Sequence, residues 1–237
     1  MRNPIIAALD VPSAERAAAL AEKLAPVVGA FKIGNELFTA SGPDIVRRIR
    51  DLGVPVFLDL KYHDIPNTVA KAVEAALLLD IQMLTIHTGG GRAMMQAAEK
   101  AAQDTAAKLA RPPALVLGVT VLTSFDDAAL SEIGLAHGVE RQVETLADLA
   151  VHSGLRGLVC SPLEIGALRA RIPSHVKLVT PGIRPPDSEK GDQKRTLTPA
   201  QAIAAGADWL VIGRPICGAQ DPRAAAEKIL SDLKANN

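Results

Sequence analysis

The chain is poor in cysteine, with only Cys160 and Cys217 among 237 residues, in no C-x-x-C pair and at no metal-ligand spacing. Such usage suits a reducing cytosol and reads as two free packing thiols, not as a disulfide framework or a thiolate metal centre. Net charge is lacking as well, since 26 Lys and Arg offset 26 Asp and Glu. Without a general basic field there is no footprint for nucleic acid, and any anion must be held locally. No apolar run approaches membrane-spanning length. The longest early run, Ile5 to Leu9, is stopped by Asp10 and followed by no cleavage-site pattern, so it reads as a strand and not a signal peptide. A cytoplasmic protein with neither membrane nor nucleic-acid partner is the expectation. Linkers, low-complexity segments and long repeats are also missing, and a chain that is 48% hydrophobic can bury a barrel-sized core, so residues 1–237 read as one domain.

What the chain does have is alternation. Short β-prone runs at 5–9, 30–34, 55–61, 82–87, 114–122, 157–160, 176–180 and 209–213 each precede an Ala-rich stretch with helical spacing. The helices are expected at 14–24, 43–52, 67–79, after Gly91, at 139–152, 163–171, 199–205 and 222–234. Eight strand–helix units imply parallel strands with right-handed crossovers, and so an α/β fold of the (β/α)8 barrel type, with a doubly wound open sheet as the competitor. Polar residues favour the barrel because they fall at or near the C-terminal ends of the strands: Asp10, Lys32, Asp59 with Lys61, His87, Thr120 and Thr123, Ser161, Thr180 and Arg214. In a barrel these ends converge on one mouth, whereas an open sheet gathers only those beside its switch point.

One stretch organises the rest. Val54, Val56, Leu58 and Leu60 share one parity of an extended run, which leaves Asp59 and Lys61 together on the other face, roughly 7 Å apart. Asp64 follows where the strand gives way to Pro66 and a helical pattern. Lys32, flanked by Phe31 and Ile33, needs a carboxylate partner, and Asp59 is the obvious one. An array of alternating sign then holds Lys32 and Lys61 as ammonium ions and Asp59 and Asp64 as carboxylates. The bland alternative is a structural ion pair, with Asp64 as the N-cap of the following helix.

A second group suits an anion. Gly213-Arg214 ends the last strand, where barrels commonly hold a phosphate on backbone N–H groups and an added cation. The polar loop 181–195 is longer than a connector needs to be and reads as a lid. Gly89-Gly90-Gly91-Arg92 is also phosphate-friendly, but no Walker or dinucleotide fingerprint accompanies it and it stays unassigned.

The run Asp59-Leu60-Lys61-Tyr62-His63-Asp64-Ile65-Pro66-Asn67-Thr68 closely resembles the bacterial orotidine 5′-monophosphate decarboxylase family. So do Ala8-Leu9-Asp10, Phe31-Lys32-Ile33-Gly34, Val119-Thr120-Val121-Leu122-Thr123-Ser124, Thr180-Pro181-Gly182-Ile183-Arg184-Pro185, Gly191-Asp192-Gln193 and Ile212-Gly213-Arg214-Pro215. The D-x-K-x-x-D core alone is shared with sugar-phosphate decarboxylases and synthases; the other motifs are more specific. The resemblance implies a cofactor- and metal-independent lyase that makes uridine 5′-monophosphate, with Lys61 as cation and C6 proton donor, Asp59 against the departing carboxylate, and Lys32 and Asp64 holding the array. It further implies that Asp10, Lys32 and Thr68 contact ribose hydroxyls, Thr123 and Ser124 read the pyrimidine, and Arg184, Gln193, Gly213 and Arg214 bind the phosphate. A homodimer is implied, in which Asp64 and Thr68 come from the other subunit. Two other readings remain at this point: a metal-dependent keto-sugar phosphate decarboxylase or aldolase on the same barrel, and a nucleotide-binding barrel without turnover.

Overall fold

The computed structural model describes residues 3–185 and 196–235. Its strands are β1 (Ile5–Ala8), β2 (Ala30–Gly34), β3 (Val56–Tyr62), β4 (Met83–His87), β5 (Leu115–Val119), β6 (Gly157–Val159), β7 (Lys177–Thr180) and β8 (Trp209–Ile212). All pair in parallel in chain order, and β8 returns to β1, which closes the barrel. The helices are α1 (Ala14–Leu24), α2 (Asn35–Ser41), α3 (Pro43–Arg50), α4 (Pro66–Leu77), α5 (Gly91–Lys108) and α6 (Asp127–Glu132). They continue with α7 (Val139–His152), α8 (Ile165–Arg171), α9 (Pro199–Ala204), α10 (Arg214–Cys217) and α11 (Pro222–Ala235).

Strand parity sorts the core into two layers. Ile6 and Ala8 of β1 meet Ala30, Phe57, Met83, Leu117, Val179, Trp209 and Val211 inside the barrel. Ile5 and Ala7 face outward into the layer shared with the helices. The helices present matching stripes: Ala17, Ala21 and Leu24 of α1, and Val143, Ala147 and Ala150 of α7, recur every three or four residues and are buried. Because Lys32 follows the parity of Ala30, and Asp59 that of Phe57, both charges are directed inward above an apolar floor.

The expected helix count was eight, and α2, α6 and α10 are additional short ones. Gly42, at φ +63°, separates α2 from α3, whose first residue is Pro43; that left-handed residue breaks what reads as a single helix approach. β5 ends at Val119 rather than Leu122, and the chain turns, with the Phe125 amide donating to the Leu122 carbonyl. That turn carries Thr123 to the mouth. At the glycine-rich start of α5, Gly91 sits at φ +81°, a conformation that favours glycine.

Candidate active site

The mouth surrounds a cavity of about 650 Å³ lined by residues from strand ends around the barrel, among them Asp10, Lys32, Asp59, Lys61, Thr123, Arg184, Gly213 and Arg214. Lys61 reaches it by a departure from regular strand geometry. Leu58 pairs with Leu84 and Tyr62 with Ile86, so β3 carries two more residues than β4 across the same interval. Lys61 absorbs the excess at φ +52°, and its amide donates to the Thr85 hydroxyl oxygen at 2.9 Å. A bulge of this kind re-aims a side chain. The simple period-two reading put Lys61 on the right face without the bulge that sets its direction.

Asp59 is the hub. Its Oδ1 accepts from Lys61 Nζ at 2.8 Å and from the Thr85 hydroxyl at 2.9 Å, while its Oδ2 lies 3.7 Å from Lys32 Nζ. Lys32 Nζ also donates to Asp10 Oδ1 at 2.8 Å. Burial alone would raise the Asp59 pKa, but the charges of Lys32 and Lys61 and the hydrogen bonds from Lys61 and Thr85 outweigh it and hold the carboxyl below its usual range. Nearby, His87 is pushed down by burial and by the His63 and Lys61 charges, against an opposing pull from Asp59. The His63 and His87 rings stand 5.4 Å apart.

The Asp59 shift predicts a pH signature. With the folded-state pKa below the unfolded one, the unfolded chain takes up this proton first as pH falls. Stability that the carboxylate provides at neutral pH therefore drains away from about pH 4 downward, through the folded-state value. Asp59→Asn should melt below the wild type at pH 7, and the gap should narrow in acid. Thermal melts across pH 3–7 check this; a gap that stays constant would mean that Asp59 stabilises the fold by shape alone.

Several expected residues lie elsewhere. Among the mouth residues read from strand ends, Thr120, Ser161, Thr180 and His87 do not line the cavity. Thr180 shares parity with Leu178, which packs in the outer layer, and it contacts the Cys160 sulfur at 3.8 Å. Thr120 donates to the Val159 carbonyl, and the Ser161 amide donates to Glu164 at the start of a short turn of helix. Ser124 is exposed and is not part of the cavity wall. Gln193 lies outside the described residues, as does most of the expected lid.

Asp64 and Thr68 are also away from the mouth of their own chain. The whole run His63–Thr68 is exposed, Ile65 being 67% accessible. Ile65 is the N-cap of α4, and the Asp64 carboxylate accepts from the Ile65 amide at 2.6 Å. Asp64 is thus neither the N-cap of the bland alternative nor, within one chain, a member of the array.

Conversely, sequence reasoning passed over Thr85, a fully buried threonine on the inward parity of β4. It also took Cys160 and Cys217 as packing residues only, yet both form part of the cavity wall. Burial, as the largest influence on each, raises both thiols to about 12, which leaves them protonated at neutral pH. The inward parity of Thr85, shared with Met83, was the available signal for it; Cys160 shares the outward parity of Leu158 and Cys217 ends α10, so parity pointed to neither.

Fold and mouth together define a class: a (β/α)8 barrel with an Asp–Lys core of the kind shared by nucleotide and sugar-phosphate decarboxylases. The profile of the Orotidine 5′-phosphate decarboxylase / HUMPS family matches residues 3–229, and the chain belongs to that family. Orotidine 5′-phosphate decarboxylase of Opitutus terrae is 57% identical over 235 residues, which cover 99% of this chain and 100% of the relative. The protein of the same name from Paramagnetospirillum magneticum is 54% identical over 233 residues, covering 98% and 99% respectively. The crystal structure of orotidine 5′-phosphate decarboxylase from Lactobacillus acidophilus aligns with a TM-score of 0.85 at 36% identity, over 98% of this chain and 99% of that one.

Proposed function

We infer that this chain converts orotidine 5′-monophosphate to uridine 5′-monophosphate and carbon dioxide, the last step of de novo pyrimidine synthesis. The observation that carries the reading is charge. In a chain of zero net charge, Arg16, Lys32, Lys61, Arg184 and Arg214 line the cavity against Asp10 and Asp59 among the described residues. A local excess of three positive charges suits a ligand carrying a phosphate at one end and a carboxylate at the other.

In this reading the bond from C6 to the carboxylate breaks and its electron pair stays on C6, in the ring plane, where the pyrimidine cannot delocalise it. A fixed cation is then the available help, and the Lys61 ammonium, held at 2.8 Å by Asp59, supplies it. A proton passes from Lys61 Nζ to C6, giving uridine 5′-monophosphate, and water reprotonates the amine. Asp59 faces the departing carboxylate; with Oδ1 already accepting from both Lys61 and Thr85, its role is to position Lys61. Asp10 and Lys32 hold ribose hydroxyls, Thr123 reads the base, and Gly213, Arg214, Arg184 and Gln193 take the phosphate. Phosphate lies far from C6, so its binding energy can assemble the array around the base.

The active unit in this reading is a homodimer in which Asp64 and Thr68 complete the neighbour's mouth. The exposure of His63–Thr68, with a large apolar side chain at its centre, supports that placement. No metal or organic cofactor enters the scheme. Among the described residues no helix is long and apolar enough to cross a membrane, which accords with a cytoplasmic enzyme.

Purified protein should be offered orotidine 5′-monophosphate and, separately, a β-keto sugar phosphate, with products read by mass spectrometry. Loss of carbon dioxide from the nucleotide alone is the expected result. Turnover of the sugar phosphate alone would transfer the chain to the metal-dependent branch of the same barrel class, and turnover of neither would leave a binding protein.

A further inference from the structure

We propose that Arg16 is a further phosphate-facing cation of this site, placed there at the expense of the helix that carries it. The proposal rests on the phosphate position in the proposed function.

The first observation is a local conflict at the start of α1. Ser13 is the N-cap, and its hydroxyl oxygen accepts from the Arg16 amide at 3.3 Å. Arg16 therefore occupies the third helical position, where Glu or Gln would reach back to the cap and complete a reciprocal box. The chain uses that arrangement elsewhere: Gln201 accepts from the Thr198 amide at 3.0 Å while Thr198 accepts from the Gln201 amide at 3.3 Å. An arginine at this position forgoes the second hydrogen bond and sets a positive charge against the positive end of the helix. Both effects disfavour it for the fold alone, and a residue that breaks a local rule is expected where function requires it.

The second observation is position. Barrel closure sets the loop after β1 beside the loop after β8, and a Cβ on Gly213 would lie 3.9 Å from Asp10 Oδ2. Arg16 lines the same cavity as Gly213, Arg214 and Gly218. The third observation is contrast. Lys32 Nζ is committed to Asp10 at 2.8 Å, whereas the hydrogen bond of Arg16 among the described residues is made by its backbone amide. An exposed guanidinium at the rim acts on the encounter with a dianion and on its affinity, through a forked set of donors.

Arg16→Ala, Arg16→Lys, Arg16→Glu and Arg214→Ala should be assayed on orotidine 5′-monophosphate and on the nucleoside orotidine, across ionic strength. Arg16→Ala should lower kcat/KM for the nucleotide about fivefold to tenfold more than for the nucleoside at low salt, mainly through KM, with the difference shrinking as salt rises. Arg16→Lys should recover most of the loss. Arg16→Glu should lose more than Arg16→Ala, yet melt about 2 °C higher than the wild type as the helix box closes.

The Arg214→Ala arm separates this proposal from the reading beneath it. If Arg214→Ala selectively loses the nucleotide while both Arg16→Ala and Arg16→Glu match the wild type, Arg16 is only a rim residue and the proposal is overturned. Equal losses on both substrates with a lower melting midpoint assign Arg16 a structural role and overturn it too. If Arg214→Ala itself shows no selective loss, the phosphate placement is wrong and the proposal goes with it.

Discussion

Replacing Lys61 with alanine should lower kcat by about a thousandfold or more, on the order of 4 kcal/mol at roughly 1.4 kcal/mol per tenfold. Affinity for uridine 5′-monophosphate should change far less, because the lost interaction forms chiefly as charge develops at C6. The geometry that makes the effect large is the bulge in β3. Lys61 sits at φ +52° with its amide on Thr85 and its ammonium on Asp59, so the cation is in place before substrate arrives and does not have to reorganise during the reaction. Steady-state kinetics and calorimetric binding of the product should be measured on the same preparation. A variant that keeps near wild-type kcat but melts at a lower temperature would reduce the array to a structural ion-pair network.

The second large effect concerns the proposed sharing of the mouth between two subunits. Asp64 is exposed, accepts from its neighbour Ile65, and forms no part of its own chain's cavity wall. Lys61→Ala and Asp64→Ala homodimers should each be nearly inactive. After dissociation, equal mixing and reassociation, half of the dimers should be mixed. If Asp64 acts across the two-fold axis, each mixed dimer has one site with both residues intact and one lacking both. About a quarter of wild-type sites should then return. With subunit exchange verified by mass-tagged chains, a mixture that regains no activity would falsify the shared site, because an Asp64 acting within its own chain leaves a defect in every site.

Much of this was legible in the order of residues. Alternating strand and helix patterns, with polar residues at strand ends, were enough for a closed barrel, and the D-x-K-x-x-D run with its companion motifs was enough for the family. What stayed hidden has physical reasons. Period two places Asp59 and Lys61 on one face, but a bulge is a property of two strands in register, and neither β3 nor β4 alone contains it. Thr85 was passed over, because a threonine inside a strand has no signal of its own until its hydroxyl is seen to donate to Asp59. Thr180 looked like a mouth residue because it ends a strand, yet its parity turns it toward the helix layer with Leu178. The bland alternative made Asp64 a helix cap because Pro66 follows closely, while the helix takes Ile65 as its boundary and leaves the carboxylate outside. An interface with a second copy has no periodicity of its own, so only the resemblance pointed to the proposed one.

The central claim is that a lysine cation held by the chain's own carboxylate, and no metal, drives loss of carbon dioxide from the nucleotide. Its most direct test is the ultraviolet absorbance of orotidine 5′-monophosphate mixed with purified protein in excess EDTA. The account predicts that the absorbance changes to that of uridine 5′-monophosphate at a rate independent of the chelator. An absorbance that stays constant, or that changes only when a divalent ion is restored, would contradict it.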